Sequence, residues 1–267
     1  MIIYKSRFLA RAEVWFDDEA TESAEIDWIL YRQRSGPVRG AKSRIFHNRL
    51  IDLSKSEKQL AAELNEETAY KIRRARDRDG IVCEWHDARD PAVMDRFEQM
   101  HKLFAMKKGL PGLNRPRLES LAAAGALDLS SAKDTHGSTL VYHAYYRDCR
   151  RASQLESPSV YRTFSDSSTR NFCGRANRYL TWTNILRFKA QGLTSFDFGG
   201  WYVGSDPELR FLGCGRQSGS YSVLSRFTQS RHVTLPSNRK RCPANPGRDL
   251  ATAHSRGARP GIPVGGR

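Results

Sequence analysis

A chain of 267 residues with 39% hydrophobic and 10% aromatic side chains carries enough apolar surface for one good core or two small ones, which excludes a protein disordered over most of its length. The formal net charge of +15 invites polyanions, yet from Phe211 to Arg267 ten Lys or Arg stand against the single acid Asp249, so the preceding body is only mildly basic. Cys83, Cys149, Cys173, Cys214 and Cys242 share no zinc-knuckle or redox-pair spacing, and neither a signal-like N-terminus nor about 18 consecutive apolar residues occurs, so free thiols and a soluble, cytoplasmic protein are expected.

In chain order, short strands are predicted at Ala12–Phe16, Ile26–Arg32 and Arg44–Leu53, parted by acidic or Gly/Pro turns such as Ser35-Gly36-Pro37. A helix follows over about 55–78. Ser54 with Glu57 reads as its capping box, and Leu60, Leu64, Thr68 and Ile72 recur every four residues. Ile81–Trp85 reads as a strand after the Asp79-Gly80 turn. Asp90-Pro91 opens another helix, with Asp as N-cap and Pro in the first turn. Val93, Phe97, Met100 and Phe104 share its inner face, and it should stop near Gly109. A short helix at about Arg115–Ala124 precedes three strands, Leu127–Ala132, Thr139–Arg147 and Arg150–Glu156, which can pair in sequence as a meander.

The segment from Gly174 to Gly192 reads as a helix with Tyr179, Trp182, Leu186 and Ala190 on one face. Gly192 should end it in a left-handed conformation, and Thr194–Phe198 should run as a strand into Gly199-Gly200. From Phe211 onward Gly, Ser, Arg and Pro dominate and periodicity disappears, so this tail is expected to be largely disordered.

Two stretches carry a resemblance: Ile51-Asp52-Leu53-Ser54 through the helix end Ile72-Arg73-Arg74-Ala75 to Gly80-Ile81-Val82, and Ala176-Asn177-Arg178-Tyr179 through Lys189-Ala190-Gln191-Gly192 to Phe196-Asp197-Phe198-Gly199-Gly200. In order and separation these resemble the FemA/FemB-like branch of the GNAT acyltransferase superfamily over about residues 44–209. The resemblance implies an α/β fold, a GNAT-like mixed sheet flanked by helices, with a truncated N-terminal sheet. It divides the chain into the remnant of an N-terminal sheet (1–53), a helical segment (54–125), an acyltransferase core (126–210) and a basic tail (211–267). It also implies a transferase that binds no resident cofactor and takes aminoacyl-tRNA or an acyl-CoA-type donor. The acceptor is then an amine on a peptidoglycan or other cell-envelope precursor, a polysaccharide precursor or a small molecule. The chain departs from the pattern after the Gly-Gly turn, where Phe211-Leu-Gly-Cys-Gly-Arg-Gln replaces the family's closing helix and strands.

Aminolysis of an ester or thioester needs a neutral, oriented amine and donors for the carbonyl oxygen as it gains charge, but no covalent intermediate. No Gly-x-Ser-x-Gly elbow, metal-ligand cluster or dinucleotide fingerprint is present. The nearest substitute for a pyrophosphate loop is Asn171–Asn177, read as leading into a helix at Arg178 and so presenting Asn177 to a phosphate; an ordinary helix-start loop is the alternative. Asp197, at a strand end before Gly199 and Gly200, is the first candidate to orient or deprotonate the amine, and equally a brace for that turn. Arg73, Arg74 and Lys189 are candidates for anionic groups of donor or acceptor. A Lys in a last helical turn also complements the helix dipole, and acids interleaved among Arg73–Arg78 also suit a solvated face. His86, His101 and His143 have no partner motif. Two competing readings are a basic RNA-binding protein without catalysis and an inactive chain whose tail is read from a shifted frame.

Overall fold

In a computed structural model, residues 1–200 are described except 7, 17, 22 and 43–47. The tail, the residues after Gly200 and their expected disorder lie outside the described residues.

Three strands, β1 (Ile2–Ser6), β2 (Leu9–Trp15) and β3 (Trp28–Arg32), form a small sheet with β1 antiparallel and β3 parallel to β2. The large sheet has six: β4 (Asn48–Asp52), β5 (Val82–His86), β6 (Leu127–Lys133), β7 (Thr139–Arg147), β8 (Arg151–Glu156) and β9 (Ser195–Gly200). Their order is β4-β9-β8-β7-β6-β5. Only β8 and β9 are parallel neighbours, joined through the long helix α5 (Ser167–Ala190). The expected meander of three strands is present as β6, β7 and β8.

Local chemistry explains most helix ends. α3 (Pro91–Lys108) begins with the Asp90 side chain accepting from Ala92 N–H and ends at Gly109 with φ +63°, the left-handed conformation that glycine tolerates best. α4 (Arg115–Ala123) is capped by Asn114. The helix expected over 55–78 is two, α1 (Glu57–Ala62) and α2 (Glu66–Asp77). Asn65 interrupts it by accepting from Thr68 N–H, which satisfies a fresh set of orphan amides. The capping box is Ser56 with Gln59, in place of Ser54 with Glu57.

Both faces of the sheet are covered, so β7 is buried from Leu140 to Tyr146 and lacks a polar alternation. On one side Tyr142, Ala144 and Tyr146 pack with Phe97 of α3, Leu118 and Leu121 of α4, and Trp15 of β2. Trp15 stacks on Tyr146 with ring centres 4.2 Å apart. On the other side α1 and α5 close over Tyr145, Ala152 and Phe196, while Ala75 of α2 and Cys173, Ala176 and Leu180 of α5 close over Ala132 and Val141. The buried stripe of α5 is therefore Cys173, Ala176, Leu180, Asn184 and Phe188. Of the face expected from spacing, Ala190 is exposed and Tyr179, Trp182 and Leu186 are half-buried.

A polar network lies inside this second interface. The fully buried His143 meets Asn177 Oδ1 through Nε2 at 2.7 Å and the Tyr145 hydroxyl through Nδ1 at 2.9 Å. Asn184 accepts from Trp85 Nε1 at 2.9 Å and donates to Ser130 Oγ at 3.0 Å. With Asn177 Oδ1 as an acceptor, Nε2 carries the proton, and with the Asn184 Nδ2 donor 3.3 Å away Nδ1 accepts, so the imidazole is neutral. Burial drives the His143 pKa down to about 4, against a smaller upward pull from Asn177.

Cys83 and Cys173 are free thiols whose pKa burial raises to about 11. Cys149 instead stands in a disulfide, which corrects the expectation of free thiols throughout.

Candidate active site at the end of the parallel strand pair

The parallel ladder between β8 and β9 consists of Arg151↔Ser195, Ala152↔Phe196 and Ser153↔Asp197, and then stops. Both strands continue beyond that point on their other neighbours: β8 pairs with β7 as far as Ala144↔Glu156, and β9 with β4 as far as Asn48↔Gly200. Asp197 and Gly199 bring about the stop. Gly199 N–H donates to Asp197 Oδ1 at 2.7 Å instead of continuing the ladder, and Gly199 adopts φ +84°.

Asp197 is wholly buried. Its second oxygen accepts from Asn48 Nδ2 at 2.6 Å. Burial pushes its pKa up, while the Gly199 amide, the Asn48 amide, the Arg151 charge and Gln33 pull it back. Gln33 also donates to the buried Ser153 Oγ at 3.0 Å. This arrangement suits a brace fixing the end of β9: with no exposed surface, the carboxylate meets an incoming amine only if the cluster opens.

The sequence-predicted residues divide into two groups. Asp197, Gly199 and Gly200 lie together at this strand end, joined to β4 through Asn48. Lys189 donates to the Leu53 carbonyl at 3.0 Å and ties the last turn of α5 to the exit of β4. Arg74 pairs loosely with Asp79 at 3.7 Å on α2, and Arg73 is exposed on the same helix. Among the described residues no recorded contact joins either arginine to Asp197 or Gly199.

Asn177 and its segment are placed differently from expectation. Residues 171–177 are interior to α5, which starts at Ser167, so their amides belong to the helix. The true N-terminus is occupied by Asp166, whose carboxylate accepts from Thr169 N–H at 2.7 Å. No phosphate loop exists at Asn171–Asn177, and Asn177 serves the His143 network.

The structure adds a pair that the sequence did not single out. Glu156, the last residue of β8, lies 3.3 Å through Oε2 from Nε2 of the buried His101 on α3. Both border a cavity of about 270 Å³, walled also by Leu110, Leu113, Leu118 and Arg117. His101 Nδ1 is buried without a hydrogen-bond partner. Arg117 is held by the buried Glu13 at 2.8 Å, which offsets its charge beside the cavity. A mostly apolar pocket with one carboxylate suits an aliphatic group ending in an amine. Among the described residues no cluster of His, Cys, Asp or Glu suits a metal ion.

No family model matches the sequence, and no curated protein matches it. Solved structures do match in shape. FemX superposes with a TM-score of 0.51 at 14% identity, covering 63% of this chain and 57% of the FemX chain. The fold is FemX-like, a mixed sheet flanked by helices. L-PGS from Bacillus licheniformis gives a TM-score of 0.43 at 13% identity over 67% of this chain and 56% of its own, too distant to carry an argument. The chain thus spans little more than half of the FemX chain. The resemblance in sequence implied a mixed sheet flanked by helices, which is present; that β8 and β9 lie side by side in it is a finding of the structure.

A valine at Gly199 is expected to harm the protein more than an alanine at Gly174. Gly199 needs a left-handed backbone, and a Cβ there would lie 3.4 Å from the Gln154 carbonyl. A β-branched residue in that conformation costs about 2 kcal/mol, or roughly 4–8 °C in melting temperature. At Gly174, inside α5, a Cβ would meet only the Arg178 Nη1 at 3.3 Å, and the gain in helix propensity of up to ~1 kcal/mol offsets that contact. Thermal melts of the two variants decide the matter; wild-type melting in Gly199→Val would remove the strand end as a fixed feature of the site.

Proposed function

We propose that this chain transfers an acyl or aminoacyl group to an amine at the C-terminal ends of β8 and β9. The observation that carries the reading is Glu156: a partly exposed carboxylate at the end of β8, held against His101 beside a cavity, where the parallel ladder has stopped. The neutral amine attacks the carbonyl of the donor; its C–N bond forms as the ester or thioester bond breaks, its proton passes to Glu156, and Glu156 returns a proton to the departing hydroxyl or thiol. Asp197 is then a positioning residue, fixing the β9 end through Gly199 and Asn48.

The donor is an aminoacyl-tRNA or an acyl-CoA-type thioester, and the acceptor an amine on a cell-envelope or polysaccharide precursor or a small molecule, following the resemblance in sequence. The rival reading, RNA binding without catalysis, gains little from the described arginines. Arg76 pairs with Asp77, Arg175 with Asp79, and Arg115 with Asp95, Glu98 and Glu119, so these charges are largely neutralised locally.

Thermal shift with each donor class, followed by product analysis with a primary-amine panel, tests the reading. A ligand at a hundredfold excess over its Kd adds about 2.7 kcal/mol to the folded state, or roughly 5 °C or more. One donor class should give that rise and an N-acylated product. Failure of both classes to shift the melt or yield product would reject the transferase.

A further inference from the structure

A second surface is built on the outer side of α3. Its inward residues, Val93, Met94, Phe97, His101 and Ala105, are buried. Outward, Leu103 and Met106 are 53% and 71% exposed, three residues apart and so on one face of the helix, and Leu110, 41% exposed, follows just past its end. Lys102 and Lys107 are exposed beside them, and Lys108 rests over the Phe104 ring at 4.5 Å. From Gln99 to Pro111 the sequence contains no acid; the acids earlier in α3, Asp95 and Glu98, are paired with Arg115. Gly109 ends the helix in the left-handed conformation, after which Leu110 and Pro111 also stand exposed.

We propose that this face docks onto an anionic lipid bilayer, with Leu103, Met106 and Leu110 inserted at the headgroup boundary and the lysines against lipid phosphates. Flexible apolar side chains flanked by cations, without acids, match a surface that is apolar below and negative above. The patch of three side chains is far smaller than the roughly 800 Å² per partner of a stable protein interface, which argues against a second copy as the occupant. The inference does not depend on the transferase reading, although Leu110 and Pro111 also border the cavity of Glu156.

The test is sedimentation of the full chain with vesicles of phosphatidylcholine alone and with about a third phosphatidylglycerol. Because the basic segment after Phe211 can adhere to anionic vesicles by charge, the informative variant keeps every charge: Leu103→Ser with Met106→Ser, both at exposed positions. Its partition onto phosphatidylglycerol vesicles should fall about tenfold or more with the melt unchanged. A second variant, Lys102→Gln with Lys107→Gln, should weaken binding by about fivefold per lysine at low salt. Equal binding by the serine variant and the wild type would assign any adhesion to the tail and overturn the proposal. So would a wild-type dimer in sedimentation velocity that the serine variant abolishes, which would make a second copy the occupant.

Discussion

Glu156→Gln should lower the rate of acyl transfer by about two orders of magnitude or more while leaving the melting temperature close to that of the wild type. The substitution keeps size and hydrogen-bonding capacity toward His101 but removes the group able to take the proton of the attacking amine. A positioned general base contributes typically 10²–10⁴-fold, equivalent to about 3–5 kcal/mol of barrier. Stability should change little, because the carboxylate is one-third exposed and its pairing with His101 is partly solvated. With the donor established, steady-state kinetics should show the loss in kcat and only a small change in the donor's KM. A kcat within threefold of wild type would move proton transfer elsewhere, to the leaving group or to solvent. His101 is a positioning residue in this scheme, so His101→Gln should cost less than Glu156→Gln.

Acid should destabilise the fold through His143. Its pKa is about 4 in the folded protein and about 6.5 in an unfolded chain. Between those values the unfolded state binds the proton and the folded state does not, so stability rises with pH across the window. The contribution is fully present above about pH 6.5 and lost progressively as the pH falls toward 4, amounting to roughly 3 kcal/mol. Carboxylates titrate in part of the same range, so the measurement is a difference: denaturant melts from pH 4 to 7 for the wild type and His143→Gln. The variant, which has no proton to gain there, should show a flatter dependence whatever its absolute stability. Parallel curves would mean that His143 is reached by water or proton in the native state, contrary to its complete burial.

Several features were legible in the sequence because they are written in backbone preferences over a few residues. Asp90-Pro91 and Gly109 bound α3, and Gly192 and Gly199 both take positive φ as their strand and helix contexts required. The start of α5 was misread for a physical reason. Gly174 looks like a boundary, but its propensity cost of about 1 kcal/mol is offset by burial of Cys173 and Ala176 against the sheet, so the helix continues back to the Asp166 cap. The split between α1 and α2 was hidden for the opposite reason: apolar residues every four positions run across Asn65, whose side chain nonetheless starts a new helix.

The sequence by itself determined most elements of the body, the three-strand meander, and the helix, glycine stop and strand that run into Gly199, because each depends on local dihedral preference and hydrophobic period. Only the tertiary structure decided that β4 pairs with β9 instead of β1–β3, that Asp197 is buried beneath Asn48, and that Asn177 and Asn184 enclose a neutral histidine. It alone brought His101 to Glu156. These are contacts between residues distant in the chain, selected by what covers each face of the sheet, and short-range periodicity carries no record of which distant surface that will be.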